Sequence, residues 1–147
     1  MTTREKFEGF LKELLKLKRK VADTGATVLV EGDRDRRSLA GLGLPDQSLY
    51  VLNRGHTLQE VVEELARKGK PVIVMTDWDG KGAELARRMS ELLAGHGIEV
   101  DTETRRKIGR FVRGDVTEVE VLRSWAERGS EKFREPLDSE EALTGLP

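Results

Sequence analysis

The sequence predicts an α/β fold: a four-stranded parallel sheet with helices on both faces, preceded by one helix and followed by two. Three observations carry that expectation. Apolar, β-branched runs alternate with amphipathic stretches at helical spacing. The run Val72-Ile-Val-Met75 has the unbroken apolar character of a strand buried on both faces. From residue 102 the alternation stops and only helical patterns follow.

Residues 4–22 place Phe7, Phe10, Leu11, Leu14, Leu15, Leu17 and Val21 at three- and four-residue steps, and Gly25 supplies a stop, which predicts an amphipathic first helix. Thr27-Val-Leu-Val-Glu31 reads as a strand that ends at Gly32, with a helical pattern continuing through Leu39 to about Gly41. Pro45 to Gln47 form a turn, Leu49 to Leu52 a second strand, and Asn53-Arg-Gly-His56 a loop. Thr57-Leu-Gln-Glu60 is a capping box that opens a helix running to about Lys68, where Gly69 ends it. Pro71 to Thr76 is the third strand, and Asp77-Trp-Asp-Gly-Lys-Gly82 is the turn after it. A helix over Ala83 to Ala94 leads through Gly95 and Gly97 to a fourth strand, Ile98-Glu-Val100. Two more helices are expected, Thr102 to Val112 and Asp115 to Arg128, the second with Val116, Val119, Leu122 and Trp125 on one face. The organisation that results is an N-terminal helix (1–25), an α/β domain (26–101), a helical extension (102–129) and an acidic, weakly patterned tail (130–147).

A length of 147 residues suits one domain. Twenty-six basic residues against 27 acidic ones leave a formal charge of -1, so nucleic-acid binding has to come from local patches. The absence of cysteine excludes disulfides, thiolate zinc sites and cysteine nucleophiles. With only His56 and His96, a metal would be hard and oxygen-bound. The first residues carry charges every few positions and no apolar signal core, and no apolar run is long enough for a bilayer; a soluble cytoplasmic protein is expected, with no membrane partner.

In an open α/β sheet, ligands bind beyond the carboxyl ends of the strands. Glu31 closes the first strand, and Asp77 and Asp79 follow the third. Together these three carboxylates form an oxygen-rich set suited to Mg²⁺ or Mn²⁺. Gly32, Gly80, Lys81 and Gly82 lie where backbone and charge approach a phosphate at a helix start. The plainer alternative is that Asp79 is a helix cap in an ordinary turn.

Thr27-Val-Leu-Val-Glu31-Gly32-x-x-Asp35, followed some forty residues later by Val72-Ile-Val-Met-Thr76-Asp77-Trp-Asp79-Gly-Lys-Gly82, resembles the Toprim domain. That domain is shared by primases, topoisomerases of types IA and II, recombination mediators and the ribonuclease that matures 5S ribosomal RNA. The size, the leading helix, the Asn53-Arg-Gly55 loop and the tail helices are similar to small stand-alone archaeal Toprim proteins. The resemblance implies a Rossmann-like Toprim fold over roughly residues 26–101. It also implies Glu31 as general base or acid, or a further metal ligand, and Asp77 and Asp79 as ligands of Mg²⁺. Several relatives carry a lysine where this chain has Asp33, so a positive phosphate contact is missing there unless Arg34, Arg36 or Arg37 replaces it.

Arg105, Arg106, Lys107, Arg110 and Arg113 put five positive charges into nine residues and are candidates for a nucleic-acid track; a solvated helix face is the alternative. Trp78 is placed to stack on a base or to pack against a neighbouring loop, and Trp125 is expected in the core. The only tyrosine, Tyr50, lies within a strand and does not suit a topoisomerase nucleophile. The expected activity is Mg²⁺-dependent phosphodiester cleavage or phosphoryl transfer on nucleic acid, as in a small nuclease for structured RNA or DNA. A non-catalytic binding module using the same acidic edge and phosphoryl transfer on a small phosphate compete with it.

Overall fold

The structure is a computed structural model, described here for residues 1–138. Helix α1 (Thr3–Thr24) begins at Thr2, whose hydroxyl accepts the Glu5 N–H while the Glu5 carboxylate accepts the Thr2 N–H. It stops at Gly25, whose φ of 70° is costly for a residue with a side chain. Strand β1 (Thr27–Val30) leads to α2 (Asp33–Gly41), and β2 (Leu49–Val51) to α3 (Leu58–Lys68), which opens with the expected Thr57–Glu60 capping box. Strand β3 (Val72–Val74) precedes α4 (Gly80–Gly95), and β4 (Val100–Asp101) precedes α5 (Glu103–Val112). Helix α6 (Leu122–Phe133) follows a short 3-10 turn at Val119–Val121.

The four strands form one parallel sheet in the order β2-β1-β3-β4, with Val28 opposite Leu49 and Ile73. Alternation along the strands sends side chains into two cores. Val28, Val30, Ile73 and Met75 meet α1, α2, α5 and α6, whereas Leu29, Val72 and Val74 meet α3 and α4. Phe7, Phe10, Leu11, Leu14 and Leu17 of α1 are all buried in the first core, each contributing about 1.5–3 kcal/mol by leaving water. The N-terminal helix is therefore integral to the sheet's packing.

The largest departure from the sequence-based expectation lies at residues 115–121, where an irregular segment replaces the first half of a helix. The Thr117 carbonyl and the Val119 N–H and carbonyl bond away from the segment, to Trp78, Asp77 and Ser38, so that only a single 3-10 turn closes at Val119–Val121. Helix α6 starts at Leu122 and runs to Phe133, past the expected end at Arg128, because Phe133 packs on Phe7 with ring centroids 5.6 Å apart. Gly129 permits that approach; a Cβ there would lie 2.4 Å from the Phe7 ring. Residues 130–133 of the expected acidic tail belong to α6, and 139–147 lie outside the described residues. Trp125 is half-buried, edge-on to Phe10 at 5.1 Å, with its indole N–H donated to Asp115. Among the described residues no helix is long and apolar enough to cross a membrane.

Candidate functional site

Because β1 and β3 are neighbours, their carboxyl ends bring Glu31 and Asp77 together. Glu31 Oε2 accepts the Asp77 backbone N–H at 2.9 Å. Asp79 caps α4: its Oδ1 accepts the Gly82 N–H at 2.7 Å, and the buried Thr76 hydroxyl donates to the Gly82 carbonyl at 2.7 Å. Gly82 is packed so tightly that an added Cβ would sit 1.9 Å from the Asp77 carbonyl oxygen, whereas Gly80 has open space around it. The two glycines therefore differ in role: Gly82 is a packing requirement, and Gly80 and the exposed Lys81 lie at the open start of α4.

Residues 115–121 form a strap across this edge. The Trp78 N–H donates to the Thr117 carbonyl at 2.8 Å, and the Val119 N–H donates to Asp77 Oδ1 at 2.8 Å. The buried Ser38 hydroxyl donates to the Val119 carbonyl at 2.8 Å, and the Asp35 carboxylate accepts from both the Gly32 and Glu120 backbones. These bonds place Glu118 and Glu120 in a cleft of about 530 Å³ that also contains Glu31, Asp35 and Asp77, with Arg34 at its edge. Sequence reasoning did not find the two glutamates. Val116, Val119 and Leu122 recur at three-residue steps whether the chain is helical or dips repeatedly toward the core.

Burial holds Glu31 above the usual carboxylate range, and the charges of Asp77, Asp35 and Asp79 push the same way. Asp35 is raised chiefly by burial, and Glu118 by its hydrogen bond to Glu120. The countercharge is Arg105. Its Nε donates to the Thr76 carbonyl at 3.0 Å and its terminal nitrogen to the Asp77 carbonyl. Burial depresses its pKa, while the nearby charges of Glu31, Asp77 and Asp79 pull it back up. The Arg105 carbonyl accepts the Trp78 indole N–H at 2.8 Å, and the Trp78 ring lies over Gly109, so Trp78 packs against α5.

Arg105 thus stands apart from the rest of the basic run. Arg105, Ile108 and Val112 share one helix face at steps of three and four, a spacing that marks position 105 as inward-facing. Arg106 is paired with Glu103 at 2.6 Å, the Arg110 guanidinium lies 5.9 Å from the Phe111 ring, and Arg113 is exposed. Asp33 accepts from Arg36 at 2.8 Å and pairs with Arg37 at 2.9 Å, which leaves Arg34 as the arginine in the cleft. His56 is exposed and borders a different groove, beside Tyr50.

Among the described residues, no three carboxylates or imidazoles converge as ligands of one ion. The donor chemistry still fits a hard cation. Glu31 is raised first by burial and then by the charges of Asp77, Asp35 and Asp79, and Mg²⁺ typically takes one or two carboxylates and keeps several waters. Asp77 and Asp79, the ligands expected from the resemblance, each accept a backbone N–H through one oxygen, from Val119 and Gly82 respectively.

The Toprim domain model matches residues 26–110. The chain belongs to the Toprim family. A UPF0292 protein of Methanosarcina acetivorans is 31% identical over 139 residues, covering 95% of this chain and 92% of the relative. A UPF0292 protein of Pyrococcus horikoshii is 34% identical over 117 residues, covering 80% of this chain and 86% of the relative. Among solved structures, a putative protein from Aquifex aeolicus superposes with a TM-score of 0.61 at 28% identity, over 74% of this chain and 94% of that one. The resemblance to stand-alone archaeal Toprim proteins is thereby shown. Toprim domains generally act on nucleic acids and bind divalent metal ions, so a nucleic-acid-related, metal-binding role follows for this Toprim protein.

Proposed function

We propose that the acidic cleft catalyses Mg²⁺- or Mn²⁺-dependent cleavage or transfer at a phosphodiester bond, as a small nuclease acting on structured RNA or DNA. The observation that carries this reading is Glu31, half-buried beside Asp77, with Oε2 fixed by the Asp77 N–H. Its other oxygen is left to take or give a proton, and a carboxyl raised by burial does so closer to neutral pH. Arg105 anchors the two carbonyls that set the position of the Asp77 backbone. The strap keeps Asp77 Oδ1 in place through Val119. A divalent ion, when bound, supplies electrostatic stabilisation of charge at the phosphate and the leaving oxygen.

Incubation of the pure protein with end-labelled structured RNA, single-stranded DNA and duplex DNA, each with Mg²⁺, Mn²⁺ or EDTA, tests the proposal. Metal-dependent product that EDTA abolishes is expected; no product on any substrate rejects it. One feature favours a second reading, a binding module without turnover: Asp77 and Asp79 each commit an oxygen to backbone N–H groups, a scaffold role that needs no chemistry. Binding without product in every metal would select that reading.

A further inference from the structure

Beside the acidic cleft lies a second groove of about 390 Å³ between α2 and the start of α6. The two share Arg34 and Glu120, so they are continuous, and Arg37 and Arg123 extend the groove away from the cleft. All three arginines are open to water, with side-chain exposures of 83%, 71% and 52%. The walls are fixed: buried Ser38 donates its hydroxyl to the Val119 carbonyl and accepts the Arg123 N–H at 3.1 Å, which ties α6 to α2. Gly41 makes room for Arg123 to lie flat, since a Cβ there would fall 2.5 Å from the Arg123 side chain.

A polyanion entering an acidic cleft needs positive charge at the cleft mouth, and the overall charge of -1 supplies none from a distance. On α5, Arg105 is drawn inward to the Thr76 carbonyl, and none of Arg106, Arg110 and Arg113 lines the acidic cleft. The groove arginines also have acidic neighbours: Arg34 has Glu120 at 3.9 Å, Arg37 has Asp33 at 2.9 Å and Arg123 has Glu127 at 2.7 Å. Exposed pairs of this kind are worth about 0–1 kcal/mol, and a phosphate, which accepts two parallel N–H bonds from a guanidinium, competes with them.

We propose that this groove binds the phosphodiester backbone flanking the bond held in the cleft, with Arg34 at the shared mouth and Arg37 and Arg123 farther along. The inference rests on the nucleic-acid reading of the cleft and adds the path of the strand. Fluorescence anisotropy with labelled single-stranded RNA, single-stranded DNA and duplex at several salt concentrations tests it, in a Glu31→Gln background that prevents turnover. Arg34→Ala/Arg37→Ala/Arg123→Ala should flatten the slope of log affinity against log salt by up to about 0.7 per lost contact on single strands and about 0.9 on duplex. Replacing the same three with lysine should retain most of the slope, which separates lost charge from lost fold. Arg106→Ala/Arg110→Ala/Arg113→Ala should leave it unaltered. An unaltered slope in the groove variant, or a loss confined to the α5 variant, overturns the proposal; if the parent protein still cleaves, the nuclease reading survives that failure. A flattened slope in a protein that cleaves nothing keeps the track and rejects the nuclease.

Discussion

Glu31 and Asp77, 46 positions apart in sequence, are joined by one hydrogen bond, from the Asp77 backbone N–H to Glu31 Oε2. The bond exists because β1 and β3 are adjacent parallel strands whose carboxyl ends lie at the same edge of the sheet. It holds an ionisable group in a half-buried position among other carboxylates, where burial and its neighbours disfavour its charge.

Glu31→Gln keeps an oxygen to accept the Asp77 N–H, so the fold should persist while proton transfer is lost. Product formation on the best substrate is expected to fall by about a hundredfold or more. A variant that retains most of the rate would assign Glu31 to structure alone.

The same residue gives stability a definite pH dependence. A carboxyl whose folded pKa exceeds its unfolded value binds more protons when folded. Its favourable contribution is therefore full below the unfolded pKa and is lost as pH rises through the folded one. Glu31→Gln should accordingly be more stable than wild type at neutral pH, and the gap should close on acidification through the carboxylate range. Urea melts between about pH 4 and pH 7 check this; a gap independent of pH would contradict it.

Gly82→Ala should cost about 1–3 kcal/mol, because its Cβ would collide with the Asp77 carbonyl, whereas Gly80→Ala meets nothing and should be neutral or stabilising. Thermal unfolding of the two variants decides, and equal midpoints would show that the turn relaxes around the added methyl.

Asp77→Ala removes the acceptor of the buried Val119 N–H and should destabilise the protein by about 1–3 kcal/mol, while Asp77→Asn keeps an acceptor and should cost less. If urea melts give both variants the same stability, the strap is not tethered by this bond.

The sheet and the Glu31, Asp77 and Asp79 positions were legible because buried parallel strands write themselves as Val- and Ile-rich runs, and the residues beyond each run sit at one edge. The strap was not legible. Whether Val119 closes a helical turn or bonds Asp77 depends on a carboxylate 42 positions away, which local periodicity does not encode. Gly80 and Gly82 look alike in sequence for the same reason: what separates them is the carbonyl packed against Gly82. Arg105 was readable in part, since it shares a face with buried Ile108 and Val112, yet its charge favoured an outward reading.

The central claim, that the acidic edge is built to take a divalent ion, is tested most directly by calorimetric titration of Mn²⁺ or Mg²⁺ into wild type and into Asp77→Asn/Asp79→Asn, with far-UV circular dichroism confirming that both are folded. Saturable binding by wild type and its loss in the double variant is the predicted result. Equal binding by the two proteins, or none by wild type, would contradict it.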